Sequence, residues 1–278
     1  MRVVRRGAVG MILLYLVALT ALVITASPYV YMLAQSLAPW DQVQRSFIPT
    51  SLSLRSYTWL ITGGEFGLAR PWMQGLLNSF IVTAADTAGQ VTFGAIVGYA
   101  LSVLAFRGQR TISSFILFQM FYPSIILLVP TFLVIQNLGF YNTYFGMILP
   151  YVLSVWAIFM YTNFFGTIPR ELVEAARLDG AGELTIIVRL MVPMSVAITT
   201  VIFLFLFMQR WVELMWDLII VSDPEKRTLN VLLATMFGPY GSYPGPLYAA
   251  SVFLSFPILI LFLSFSRRFV SGVEFVIK

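Results

Sequence analysis

The sequence predicts an all-α, polytopic membrane protein with six transmembrane helices. Three observations carry that expectation. First, 59% of the 278 residues are hydrophobic and only 10% are charged, against about 25% charged in a soluble domain; this composition cannot cover a water-facing surface. Second, apolar runs of about 20 residues, the length that crosses ~30 Å of hydrocarbon, recur along the whole chain. Third, lysine and arginine gather on alternate connections. Six spans with short loops leave no room for a sizeable soluble domain.

The elements follow in order. The first apolar run, about Ala8 to Leu33, has a basic flank but is longer than a signal-peptide core and lacks a clear cleavage site, so it reads as a retained span. A Pro-, Ser- and Gly-rich external segment, Ala34 to Gln74, holds a short interfacial helix, with Trp59 and Trp72 at headgroup level. Residues 1–74 form one unit on this reading and residues 75–278 a core unit. Span two runs from about Gly75 to Ala105 and ends in the tight turn Arg107-Gly108-Gln109-Arg110. Span three, about Ile112 to Ile135, contains Pro123 and Pro130, so kinks are expected. Span four covers about Tyr144 to Phe165 and span five Met194 to Val221. An external stretch, Ser222 to Pro246, precedes span six, Leu247 to Phe265, which Pro257 kinks or thins.

The net charge of +5 could suggest nucleic acid, but its placement does not. Arg2, Arg5, Arg6, Arg107, Arg110, Arg170, Arg177, Arg189, Arg267, Arg268 and Lys278 fall on one side of the six-span scheme, and Arg45, Arg55, Arg70, Lys226 and Arg227 on the other. That is the positive-inside bias, with both termini cytoplasmic and lipid as the surrounding partner. Cysteine and histidine are absent, which excludes disulfides, thiolate chemistry, Cys/His zinc sites and His-based triads. No GxxxxGK[ST] phosphate loop occurs, so any ATP consumed is hydrolysed on another chain. Neither an enzyme nor a resident cofactor is implied.

The connection between spans four and five, about residues 166–193, is charge-dense and patterned. Pro169 suits the first turn of a helix with Thr167 as N-cap. Leu172, Ala175 and Ala176 share one helical face. Gly180 stands where a helix ends in the left-handed conformation, with Gly182 close behind. The expectation is a short amphipathic helix, a glycine turn and a second short helix, held in water and shaped to touch something.

Glu174-Ala175-Ala176, three residues, Gly180, then nine residues to Leu190-Met191-Val192-Pro193 resembles the EAA loop of ABC importer permeases. That pattern is Glu-Ala-Ala, three residues, Gly, nine residues, Ile, any residue, Leu-Pro; Leu190 and Val192 are the departures. Asn78-Ser79 at the start of span two, YNTYFGMILPY (Tyr141 to Tyr151) and RTLNVLLATMFG before the last span resemble the maltose-type carbohydrate importers more narrowly. The resemblance covers roughly Asn78 to Phe269. It implies the type I ABC importer permease fold in a bacterial or archaeal cytoplasmic (inner) membrane. It also implies a heterodimer with a second permease subunit, two ATP-binding subunits and an extracytoplasmic substrate-binding protein. On this reading Glu174, Ala175, Ala176 and Gly180 form the coupling element, and the solute is a sugar, an oligosaccharide or a related polyol. The alternatives are an ABC permease for another solute class and an ion-coupled secondary transporter.

Two polar groupings inside the spans remain. At 100° per residue Thr83, Asp86, Thr87 and Gln90 form a stripe on span two. An ionisable group within a span points to function, so the stripe is a candidate pathway lining, its rival being a helix–helix packing face. The segment WVELMWDLII, Trp211 to Ile220, resembles the family's Trp-Asn-Glu-Phe-x-Trp-Pro with Val212 for Asn and Asp217 for Pro. On a continuous helix Arg210, Glu213 and Asp217 share one face, which reads as charges snorkelling to the outer interface.

Overall fold

The protein is described by a computed structural model that covers residues 8–62, 72–235 and 244–277, the side chains of residues 8, 9 and 266–277 excepted. Arg2, Arg5, Arg6, Arg70 and Lys278, the side chains of Arg267 and Arg268, and the end of RTLNVLLATMFG from Met236 to Gly238 lie outside the described residues.

Among the described residues every regular element is helical. In chain order they are α1 (Ala8–Ser36), α2 (Arg55–Thr62), α3 (Trp72–Ser102), α4 (Gln109–Phe118), α5 (Leu128–Asn137), α6 (Tyr144–Ile148), α7 (Val155–Phe165), α8 (Arg170–Leu178), α9 (Glu183–Ile186), α10 (Val192–Met194), α11 (Val196–Trp211), α12 (Met215–Ile220), α13 (Leu229–Ala234) and α14 (Pro244–Ile277). Three helical stretches, Gly10–Ser36, Trp72–Ser102 and Pro244–Phe265, are each long and apolar enough to cross a membrane. Three bent pairs bring the number to six if each pair makes one crossing: Gln109–Phe121 with Ser124–Asn137, Tyr144–Tyr151 with Val155–Phe165, and Glu183–Met194 with Val196–Trp211.

The bends revise the continuous spans expected from hydropathy. Span three turns by 95° at Tyr122-Pro123, where Pro123 lacks an amide hydrogen and forces its predecessor out of the helical region; Tyr122 has ψ 121. Span four bends by 42° before Ser154, whose hydroxyl accepts from the Ala157 amide and restarts the helix as α7. Span five turns by 87° at Ser195 and stops at Trp211 instead of reaching Val221. The carbonyls of Val212 and Glu213, which leave the helical ladder there, accept from the Asn230 side chain at 2.7 and 3.1 Å, which offsets part of the cost of the break. By contrast, α14 passes Pro257 as one helix.

The chain divides into two compact units. The first comprises residues up to 70 together with 235–255. Its described part ties the end of α1 to the segment that follows: Gln35 donates to the Ser46 carbonyl (2.7 Å) and accepts from the Gln44 amide (2.7 Å), and Ser36 shares a hydrogen bond with the Tyr57 hydroxyl (2.8 Å). Arg55 lies over the Trp40 ring, 4.2 Å from its centroid. The apolar stretch of α1 is exposed along its length, as suits a lipid-facing helix.

The second unit comprises residues 71–234 and 256–278. Here α3 is the central post, packed chiefly on α7 and then on α11. Small residues allow the approach: a Cβ on Gly98 would lie 2.6 Å from the Tyr161 Cβ and 3.0 Å from the Thr162 amide nitrogen, so only glycine fits there. One core cluster joins Tyr99 of α3, Tyr161 and Phe165 of α7, Ile202 of α11 and, from the connecting loop, Val173, Ile186 and Met191. A second gathers Val82, Ile135, Met147, Trp216 and Ile220.

Candidate functional site: a helical loop and a charged cleft

The loop between α7 and α11 folds as the expected helix–turn–helix. Leu178 begins the exit from α8: the Gly180 amide donates to Arg177 and the Ala181 amide to Ala176, each at 3.0 Å, a Schellman arrangement. Gly180 has φ +81, the left-handed conformation that only glycine adopts without strain. One expectation fails. Thr167 does not cap α8; its hydroxyl donates to the Phe164 carbonyl, because Pro169 itself holds the cap position and has no amide to be capped.

Which face of α8 points inward was not legible. Val173 is 3% exposed and Ala176 partly buried, while Glu174 and Ala175 face outward with Leu172 and Leu178. Leu178 is 89% exposed, an apolar side chain left in the open on a polar loop. Behind this face Ile168, Val173, Ile186, Ile187 and Met191 are buried in the core. At about 1.5–3 kcal/mol for each buried aliphatic side chain, the loop is fastened to the helices as one body. A polar link adds to this. Glu183 accepts from Arg177 twice (2.9 and 3.2 Å) and from the Tyr99 hydroxyl (2.5 Å). The hydrogen bonds from Arg177 and then from Tyr99 hold the Glu183 carboxyl below its ordinary range, so the link is ionic at neutral pH.

The stripe on α3 faces inward: Thr83, Asp86, Thr87 and Gln90 are 2%, 0%, 0% and 6% exposed. Asp86 is joined to Arg210, whose Nε donates to its Oδ2. Arg210 also donates through Nη1 and Nη2 to the two oxygens of Asp217, at 3.1 and 2.8 Å, and through Nη2 to the Met147 carbonyl at 3.5 Å. Its guanidinium lies 5.0 Å from the Tyr151 ring centroid. One cation thus ties α3, α11, α12 and α6 together. The snorkelling reading of Arg210 and Asp217 is overturned, since they are 5% and 1% exposed. The helix breaks between them at Val212–Leu214, and Glu213 leaves the pair to accept from the Trp216 amide at 3.1 Å. Opposite charges at positions 86 and 210 were the available signal, but nothing in one sequence puts α3 beside α11.

The sequence motifs around the stripe act as clamps. Asn78 donates to the carbonyls of Glu225 (2.7 Å) and Arg227 (3.0 Å) and accepts from Tyr144 (2.7 Å), and Ser79 accepts from the Leu229 amide (2.8 Å). Thr143 caps α6 through the Gly146 amide. They hold the segment from 224 to 229 and α6 against α3. Beside the ion pair lies a cleft of ≈ 460 Å³. Gln90, Tyr151, Ser154, Gln209, Arg210 and Glu213 line it. Gln90 donates to the Tyr151 carbonyl at 2.6 Å, while its Oε1, the Thr87 hydroxyl and Asp86 Oδ1 have no partner within the described chain.

Comparison with known proteins supplies the family. The model of the binding-protein-dependent transport system inner membrane component matches residues 90–274. The chain is 29% identical over 251 residues to the arabinooligosaccharides transport system permease protein AraQ of Bacillus subtilis (strain 168), covering 88% of each chain. It is 28% identical to the sn-glycerol-3-phosphate transport system permease protein UgpE of Brucella abortus (strain 2308), covering 93% of this chain and 94% of that one. A crystallised bacterial ABC transporter involved in the import of the acidic polysaccharide alginate has a similar fold, with TM-score 0.82 and 20% identity over 96% of this chain and 99% of that one. The chain therefore belongs to the binding-protein-dependent transport system inner membrane components, as one permease subunit of an ABC importer.

Proposed function

We propose that this permease subunit imports a sugar, an oligosaccharide or a related polyol, paired with a second permease and driven by two ATP-binding subunits. The relatives' names support the solute class: one is a permease for arabinooligosaccharides, another for sn-glycerol-3-phosphate. The sequence has no phosphate loop, so hydrolysis falls to the ATP-binding subunits. The binding protein delivers the solute on the far side.

The observation that carries the coupling role is the two-sided loop. Its inner face is locked into the core through Val173, Ile186 and Met191, and its outer face presents Glu174, Ala175 and Leu178. Glu174 supplies a charged contact, Ala175 permits close approach, Ala176 packs α8 onto the core, and Gly180 makes the turn. Closure of the ATP-binding pair would move such a loop as a lever and switch the pathway between outward- and inward-facing states. Thr83, Asp86 and Thr87 back the pathway wall, and Gln90 meets the solute side.

The test is made on the assembled transporter in proteoliposomes. Gly180→Val forces a β-branched residue into positive φ, costing about 1–3 kcal/mol locally; Glu174→Lys reverses the charge at the contact. Both variants should insert normally, yet lose stimulation of ATP hydrolysis by the loaded binding protein, or lose the ATP-binding subunits. Normal uptake by both variants would remove the coupling assignment.

A further inference from the structure

The cleft walled by Gln90, Tyr151, Ser154, Gln209 and Glu213 has a charge sign that selects among solutes. We infer that it receives a polyhydroxylated solute without negative charge and turns anionic solutes away. The inference rests on the permease reading above and narrows its substrate class.

The single cation of the wall is already consumed. Arg210 donates through Nε to Asp86 and through both terminal nitrogens to Asp217, with Met147 taking a further contact. Recognition of a carboxylate, sulfate or phosphate calls for a guanidinium fork or an ammonium free to point at it. Among the lining residues no other Lys or Arg occurs. Two carboxyl groups, Asp86 and Asp217, pair with the one guanidinium, and a third, Glu213, lines the cleft. With all three carboxyl groups ionised, the excess is two negative charges. An anion entering the cleft meets that excess in a partly desolvated setting where screening is weak.

What the wall offers instead suits hydroxyl groups. Gln90 lines the cleft, and just behind the surface its buried Oε1 accepts from nothing in the described chain. The Ser154 hydroxyl accepts from Ala157, which leaves its own hydrogen to give, and Gln209 adds an exposed amide. Glu213 keeps one carboxylate oxygen beyond the one that takes the Trp216 amide. Acceptors and paired amides interleaved beside an aromatic ring are the groups a polyol or sugar ring pairs with, and the volume of ≈ 460 Å³ lies within the range of small-molecule sites, about 300–1,000 Å³.

The cysteine-free chain allows a direct measurement of this charge. Gln209→Cys and Leu153→Cys each place one thiol on the wall; Leu52→Cys, on an exposed loop residue, reports general access. The assembled transporter in detergent is treated with cationic, neutral and anionic methanethiosulfonates of matched size. Labelling of this chain is read by mass, and each rate is divided by the reagent's rate with a small neutral thiol. The cationic reagent should outpace the anionic one by about tenfold or more at both wall positions, and Glu213→Gln should lower that ratio several-fold. A ratio of one or less at both positions overturns the inference. So does silence of both wall thiols toward every reagent while Leu52→Cys reacts. ATP-dependent, binding-protein-dependent uptake by the parent transporter, measured alongside, separates the two failures: uptake with the wrong ratio sinks the charge inference alone, and absent uptake sinks the permease reading beneath it.

Discussion

At the residue scale, Arg210 does more than its position in the sequence suggests. A buried guanidinium with one carboxylate on α3 and another on α12 fixes three elements by geometry as well as by charge. Ion pairs withdrawn from water are poor stabilisers compared with apolar packing, but removing one member strands the others. Arg210→Met should therefore cost about 3–5 kcal/mol, read as a fall in thermal stability of the assembled transporter. The triple variant Asp86→Leu, Arg210→Met, Asp217→Leu should recover most of that loss while uptake stays impaired. Equal stability of the single and the triple variant would show that the cluster is not a unit. Glu174 and Leu178 make the opposite case: they are exposed, and on the proposed coupling role their value lies in what they touch.

At the element scale, the close crossing of α3 and α7 is the joint on which the loop and the cleft both depend. Gly98→Ala brings a methyl group against the Tyr161 Cβ and the Thr162 backbone, where neither can yield cheaply. We expect a loss of about 1–3 kcal/mol, as for an overpacked core, measured by thermal denaturation; an unchanged melting temperature would mean that the crossing opens freely. The elements divide by how much of them the sequence disclosed. Hydropathy located all six apolar regions, because a span must be predominantly apolar along its length. The glycine turn at Gly180 and the break at Pro123 were legible because those residues act on their own backbone. The break after Trp211 was not, because it depends on a distant partner, Asn230, which takes up the Val212 and Glu213 carbonyls. The stripe on α3 was visible through its period, but its ion pair was not, since Asp86 and Arg210 lie 124 residues apart. The inward face of α8 was equally hidden, because Leu172 and Val173 are both apolar and only the core decides between them.

At the scale of the whole molecule, the arrangement reads as a subunit built to be completed by others: α1 exposes its apolar length, the α8 loop presents an outward face, and the cleft is walled on this side by one chain. From the distribution of arginine and lysine we propose an orientation with both termini and the 168–193 loop in the cytoplasm. Single cysteines test that orientation. Arg177→Cys should resist impermeant thiol reagents in intact cells, and Leu52→Cys should react; labelling of Arg177→Cys from outside would invert the topology. The central claim, that this loop is where ATP-driven motion enters the chain, is tested most directly by crosslinking. With Leu178→Cys carrying a short photoreactive thiol adduct, the assembled transporter should yield a covalent product with an ATP-binding subunit, its yield changing between the nucleotide-free and ATP-bound states. An intact, transporting complex in which Leu178→Cys never joins an ATP-binding subunit in either state would contradict it.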